Sequence, residues 1–174
     1  MTRRMTVALA ATAALGVSAL GVGVAGAATA KNRIEISGGA SIKPGKSVTD
    51  DQHFSPQNLE VKSGATVKLV NKAKTEDPHT ISLVKKPDLP KTAKQAFNCA
   101  TCNAILGSHE IDEQSGTIGK PVVDVGQPGY DQPGDSTVVM PKAKISFKVT
   151  AKKGTTLYYL CAIHPWMQGR IKVK

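Results

Sequence analysis

Tyr158-Tyr159-Leu160-Cys161-Ala162-Ile163-His164-Pro165-Trp166-Met167-Gln168-Gly169 places a thiol, an imidazole and a thioether within seven residues. Soft and borderline donors of this kind suit copper better than magnesium or calcium. Two His and one Cys in a trigonal set, with a long axial Met, form the donor arrangement of electron-transfer copper sites. The stretch offers Cys161, His164 and Met167, so a second imidazole must come from elsewhere. His79, in Asp77-Pro78-His79-Thr80-Ile81, is the candidate. Taken singly, each residue has a plainer reading: a buried strand Cys, a core Met, a loop His. Their combination at strand ends is what points to a metal.

Working outward, residues 155–161 read as a strand with Leu157, Tyr159 and Cys161 on one face. Residues 170–174 make a short final strand. Upstream, 144–150 alternates polar and apolar, and 136–140 is rich in β-branched residues. Leu59 with Val61, and Val67 with Leu69, alternate with polar residues on either side of a Ser63-Gly64 turn. His79 begins a further strand over 79–84, and 31–37 alternates as well. About seven to eight strands separated by turn signals predict an all-β sandwich or barrel with antiparallel pairing. Residues 38–46 carry Gly38-Gly39 and Pro44-Gly45 and read as a loop or flexible arm. Residues 85–135 break the rhythm with five prolines and form a partly helical insert. One helix is expected over 91–106, stopped by Gly107, and one strand over 121–125. A connection of that length is uncommon unless functional or disordered.

The domain organisation expected is a signal peptide at 1–30, an N-terminal strand and flexible arm at 31–52, and a sandwich domain at 53–174 carrying the insert. Arg3 and Arg4 precede an Ala/Leu/Val/Gly run, and Ala25-Gly26-Ala27 and Ala28-Thr29-Ala30 offer small-x-small cleavage sites. The plainer alternative is an uncleaved anchor. Export to a periplasmic or extracellular compartment is the expectation, with no further membrane span. The net charge of +10 falls to +8 when Arg3 and Arg4 leave with the signal. The lysines are scattered, as on a solvated surface; the sharper reading is steering toward an acidic redox partner. Nucleic-acid binding is disfavoured, because no dense basic cluster or stacking surface accompanies the charge.

With these motifs in place, the chain resembles the cupredoxins, and most of all their amicyanin and plastocyanin branch. The resemblance rests on Phe54-x-Pro56-x2-Leu59-x-Val61-x2-Gly64-x2-Val67-x-Leu69-x-Asn71, on Pro78-His79-x-Ile81, and on Cys161-Ala162-Ile163-His164-Pro165-Trp166-Met167-x-Gly169. It covers roughly 54–84 and 136–174. It implies a Greek-key β-sandwich holding one type 1 copper ion. His79, Cys161 and His164 would be the strong ligands and Met167 the weak axial one. It also implies a non-enzymatic, monomeric carrier of single electrons, with His164 as the electron port. Trp166 either adds to the apolar patch around that port or simply packs. Thr80 stands where many family members have Asn tying the ligand loops together. The insert is a larger departure.

Cys99 and Cys102 remain, in Asn98-Cys99-Ala100-Thr101-Cys102-Asn103. In an oxidising compartment a local disulfide is the favoured reading. A redox-active pair and a second metal site with His109 are the alternatives. The latter would suit a copper storage, delivery or sensing protein. His53 is expected to be solvated.

Overall fold

The computed structural model describes residues 32–112 and 114–174, so the signal-peptide expectation lies outside the described residues. In chain order the strands are β1 (Arg33–Ser37), β2 (Ala40–Lys43), β3 (Ser47–Asp50), β4 (His53–Ser55), β5 (Asn58–Val61), β6 (Thr66–Asn71) and β7 (His79–Val84). After a 3-10 turn at Lys86–Asp88 come helices α1 (Ala93–Phe97) and α2 (Ala100–Ser108). Then follow β8 (Val122–Val123), β9 (Ser136–Val139), β10 (Lys144–Lys148), β11 (Thr156–Leu160) and β12 (Gln168–Val173).

These strands form a sandwich. One sheet has four strands in the order β10-β6-β1-β4; the other has six, β5-β12-β11-β7-β9-β8. The alternating residues predicted to face inward do so. Ile34, Ile36, Val67 and Leu69 of the first sheet share a buried core with Ile81, Leu157, Tyr159 and Ile171 of the second. Antiparallel pairing holds at most contacts but fails at two: β1 runs parallel to β6, and β12 parallel to β5. Alternation sets which face is buried, not which way a neighbour runs, so the pattern alone could not separate these cases.

Three local differences have physical causes. Residues 38–46, expected as an arm, contribute to an exposed hairpin of β2 and β3 around the Pro44-Gly45 turn. Strand β1 sits between β6 and β4 in its sheet. The single helix expected over 91–106 is two helices. Thr92 caps the first by accepting the Gln95 N–H, and Asn98 ends it. Cys99 then caps the second, its sulfur accepting the Cys102 N–H at 3.1 Å. Gly107 lies inside that helix, which runs one residue further before His109.

The Cys99–Cys102 disulfide favoured from the sequence is present. Thiol titration of the unfolded, metal-free protein should count one reactive group, rising to three after reduction. A count of three before reduction would contradict the pairing.

The insert has a structural role. All six residues of β7 are buried, although a sandwich strand usually exposes one face. Ile81 and Leu83 face the main core. Val84 belongs to a second cluster with Cys99, Cys102, Ile105, Leu160 and Ala162. Helix α2 therefore covers the outer face of the six-stranded sheet beside the ligand loop. Among the described residues, no helix is long and apolar enough to cross a membrane.

Candidate metal centre

Two chain segments converge at one end of the sandwich. His79 opens β7, and Cys161 follows the last residue of β11. The adjacent pairing of these strands, Leu160 opposite Ser82, brings the two segments together. From Cys161 the chain turns tightly. The Met167 N–H donates to the His164 carbonyl at 2.9 Å, and the Cys161 N–H to the Met167 carbonyl at 3.0 Å. The loop is thus closed on itself and held by strands at both ends. Gly169 is needed just beyond it. A Cβ there would lie 2.6 Å from the Gln57 carbonyl and collide with the Tyr159 ring.

Donor atoms of His79, Cys161 and His164 all lie within 4.8 Å of one another. Cys161 Sγ is 3.7 Å from His79 Nδ1 and 3.8 Å from His164 Nδ1. Two edges of 3.7 and 3.8 Å with a third of at most 4.8 Å leave a point about 2.0–2.4 Å from all three atoms, close to the lengths of metal bonds to imidazole and thiolate. His79 and Cys161 are fully buried, Met167 is 1% exposed and His164 is 8% exposed. The four sequence candidates thus share one end of the core: Met167 and Cys161 belong to its main cluster.

The electrostatics favour neutral donors awaiting a cation. Burial, aided by the field of His164, lowers the His79 pKa to about 4. Burial also lowers that of His164. Both rings therefore offer lone pairs at neutral pH. Burial pushes the Cys161 thiol up, opposed by hydrogen bonds including the Thr80 N–H at 3.3 Å. A metal ion would displace that proton on binding. His79 Nε2 is buried with no hydrogen-bond partner among the described residues, so an added charge on this ring has no acceptor among them. These donors fit copper: soft sulfur, two imidazoles, and a thioether in the adjoining loop.

Other candidates separate from this group. His109 does not join Cys99 and Cys102. The cysteines are bonded to each other, and the ring nitrogens of His109 face the Lys120 carbonyl and the Ser136 hydroxyl. The second metal site considered from the sequence is therefore not assembled. His53 is exposed as expected, its Nδ1 2.8 Å from the Asp51 carbonyl. Trp166 is 41% exposed and meets the His164 ring edge-on at 5.3 Å.

Two features of the site were missed by sequence reasoning. Gln52, in the stretch read as an arm, is buried with its amide nitrogen 3.4 Å from His164 Nε2. Its flanking polar residues gave no signal. Thr80 was noted, and its hydroxyl does tie the loops, accepting the Ala162 N–H at 2.8 Å. The polar chain behind it, through Ser82 and Ser136, had no sequence signature.

No protein-family model and no curated protein sequence matches this chain. Solved structures do. A purple cupredoxin from Nitrosopumilus maritimus is 18% identical, covers 82% of this chain and 98% of its own, and has a TM-score of 0.43. Auracyanin A, a blue copper protein from Chloroflexus aurantiacus, is 21% identical over 82% of this chain and 98% of its own, with a TM-score of 0.42. Plastocyanin from Dryopteris crassirhizoma is 19% identical over 82% and 99%, with a TM-score of 0.37. At this level the matches decide nothing alone. The sandwich and its His-Cys-His group make the chain cupredoxin-like.

Proposed function

We propose that this cupredoxin-like chain is an exported type 1 copper protein that carries single electrons between redox partners. His79, Cys161 and His164 would be the strong ligands and Met167 the weak axial one. The observation that carries this reading is the buried thiol flanked by two imidazole Nδ1 atoms at 3.7 and 3.8 Å. Bound copper would supply a one-electron couple. The chain's own contribution is to hold the donors. Strands clamp both ends of the loop, Thr80 bridges it to β7, and burial keeps water out. Such rigidity limits reorganisation when the charge changes. With these four donors assigned, no strong position is left for a substrate, which favours a carrier over an enzyme.

Around His164 the surface suits weak docking. Phe97, Met140 and Trp166 are 83, 49 and 41% exposed along a cleft bounded by Leu106 and Pro165. Scattered lysines would steer an acidic partner toward it. A monomer needs nothing more for this task.

Titrating the metal-free protein with Cu(II) tests the reading. One equivalent should give an intense visible thiolate-to-copper band and a reversible one-electron couple. A colourless adduct, or two equivalents bound alike, would count against it.

A further inference from the structure

The two cysteines that the metal centre leaves unused open a helix. Cys99 is the N-cap of α2, and Cys102 lies in its first turn. The Cys99 sulfur accepts the Cys102 N–H at 3.1 Å, one of the helix-end donors that have no partner within the helix itself. Helix α2 has nine residues, so its aligned peptide groups also place positive potential at this end. Both influences favour negative charge on the Cys99 sulfur, the condition that makes a cysteine reactive. Stability alone does not call for the pair. The bond spans a sequence separation of 3, and cross-linking stabilises least across the shortest loops. A serine or threonine would cap the helix as well. Ile105 and Leu106 already hold α2 against Val84, Leu160 and Ala162.

The pair can also be reached. Cys99 and Cys102 both line a cleft of about 660 Å³ between α2 and the ligand loop. That volume lies within the range of ligand-binding clefts. Its walls are mainly apolar, with Phe97, Leu106, Ile118, Met140 and Trp166 among them. Cys99 borders a second cleft as well, beside Pro90 and Asn98. It is 8% exposed against 2% for Cys102, so an incoming group meets the capping sulfur first.

We propose that Cys99–Cys102 is a thiol–disulfide exchange centre that accepts two electrons from a dithiol, the cysteine pair of an extended peptide laid in the cleft. A partner thiolate attacks Cys99 Sγ. A bond forms between these two sulfurs, the Cys99–Cys102 bond breaks, and its electron pair leaves on Cys102 Sγ, which takes up a proton. The partner's second thiolate then attacks the partner sulfur of the mixed disulfide. The partner's own disulfide forms, and Cys99 leaves as a thiolate held by the Cys102 N–H. Once Cys99 is protonated, two electrons and two protons have passed from the partner to this chain. The direction follows from the cap. Donors that stabilise the released thiolate stabilise the reduced pair, and a stabilised reduced pair makes an electron acceptor. The apolar walls favour an unfolded peptide, whose apolar side chains are uncovered, over a small hydrophilic thiol. No step passes through Cys161, so the exchange stands apart from the copper reading.

The test uses folded, metal-free protein and two unstructured peptides, each carrying two cysteines, one with apolar flanks and one with serine flanks. Acid quenching and peptide mapping follow each cysteine of the chain separately. The apolar peptide should open the Cys99–Cys102 bond about tenfold faster than the serine-flanked one, the return on seating about one apolar side chain. Its rate should be nearly the same in water and in about 1 M urea. Attack confined to the unfolded chain would instead speed up about 30-fold per molar of urea, and that result overturns the proposal. Equal rates for the two peptides overturn the assignment of the cleft. The reduced chain should keep its far-ultraviolet circular dichroism; a chain that unfolds on reduction shows the bond to be a structural staple and overturns the proposal. Glutathione disulfide then reads which sulfur reacts. Cys102→Ser should gain glutathione at Cys99 about tenfold faster than Cys99→Ser gains it at Cys102. Equal trapping overturns the order of attack. The urea comparison on the wild type decides even if these variants do not fold.

Discussion

Replacing Cys161 with serine should abolish the visible band of the Cu(II)-loaded protein completely while leaving the sandwich folded. The reasons are local. Cys161 is the free cysteine of the chain, fully buried between two imidazoles. A serine hydroxyl is a hard donor with too high a pKa to ionise there, so no sulfur-to-metal charge transfer remains. The fold loses little. The hydroxyl is close in shape to the thiol and can still accept the Thr80 N–H that the sulfur now accepts at 3.3 Å. A cost of about 1 kcal/mol would lower the metal-free melting temperature by only about 2–4 °C in a chain of this size. Absorption and thermal melts on the same sample separate the outcomes. A band that survives would mean that another residue supplies the chromophore. Cys99→Ser is the control, because its sulfur is bonded to Cys102 at the start of α2 and its loss should leave the colour in place.

How much of this was legible in the sequence depends on the distance over which each feature acts. The ligand loop was legible because three donors lie in one short stretch, and chain alternation assigned Cys161 to the core face correctly. His79 was legible because Pro78 and the apolar run after it mark a strand start. The parallel β1–β6 and β5–β12 contacts were not, since direction is settled by connections rather than by period. The helix break was hidden because Cys99, whose sulfur accepts the Cys102 N–H, is not one of the Ser, Thr, Asp or Asn residues that usually mark a helix start. Gln52 was hidden for the opposite reason: its importance comes wholly from His164, remote in sequence. Ser82 and Ser136 look like solvent-facing strand residues by alternation. They are buried only because the insert folds back over them, which no local pattern announces.

Acid should destabilise the metal-free protein by up to about 3 kcal/mol between neutral pH and about pH 4, and bound copper should oppose that loss. The sign follows from His79. Its pKa falls from the ordinary imidazole value of 6.5 to about 4 because burial disfavours the charged ring and His164 adds to the penalty. Below 6.5 the unfolded chain takes up a proton that the folded chain refuses. The unfolded state therefore binds more protons in this window, and stability falls as pH falls. The full benefit is present above the unfolded value and is spent on reaching the folded one. A shift of this size, at about 1.4 kcal/mol per unit, sets the upper figure. His164 is shifted the same way by its own burial. A metal held through these rings stabilises only the folded state, so the loaded protein should keep its midpoint further into acid. Urea unfolding at the two pH values reads the effect directly. With a slope of about 2 kcal/mol/M, the metal-free midpoint should drop by about 1.5 M. His79→Phe isolates the cause, since other acid-sensitive groups such as Glu35, whose carboxyl is held low chiefly by Lys72, are untouched by it. If that variant loses as much stability in acid as the wild type, the buried ring is not the source, and the site is less sealed from water than its zero exposure implies.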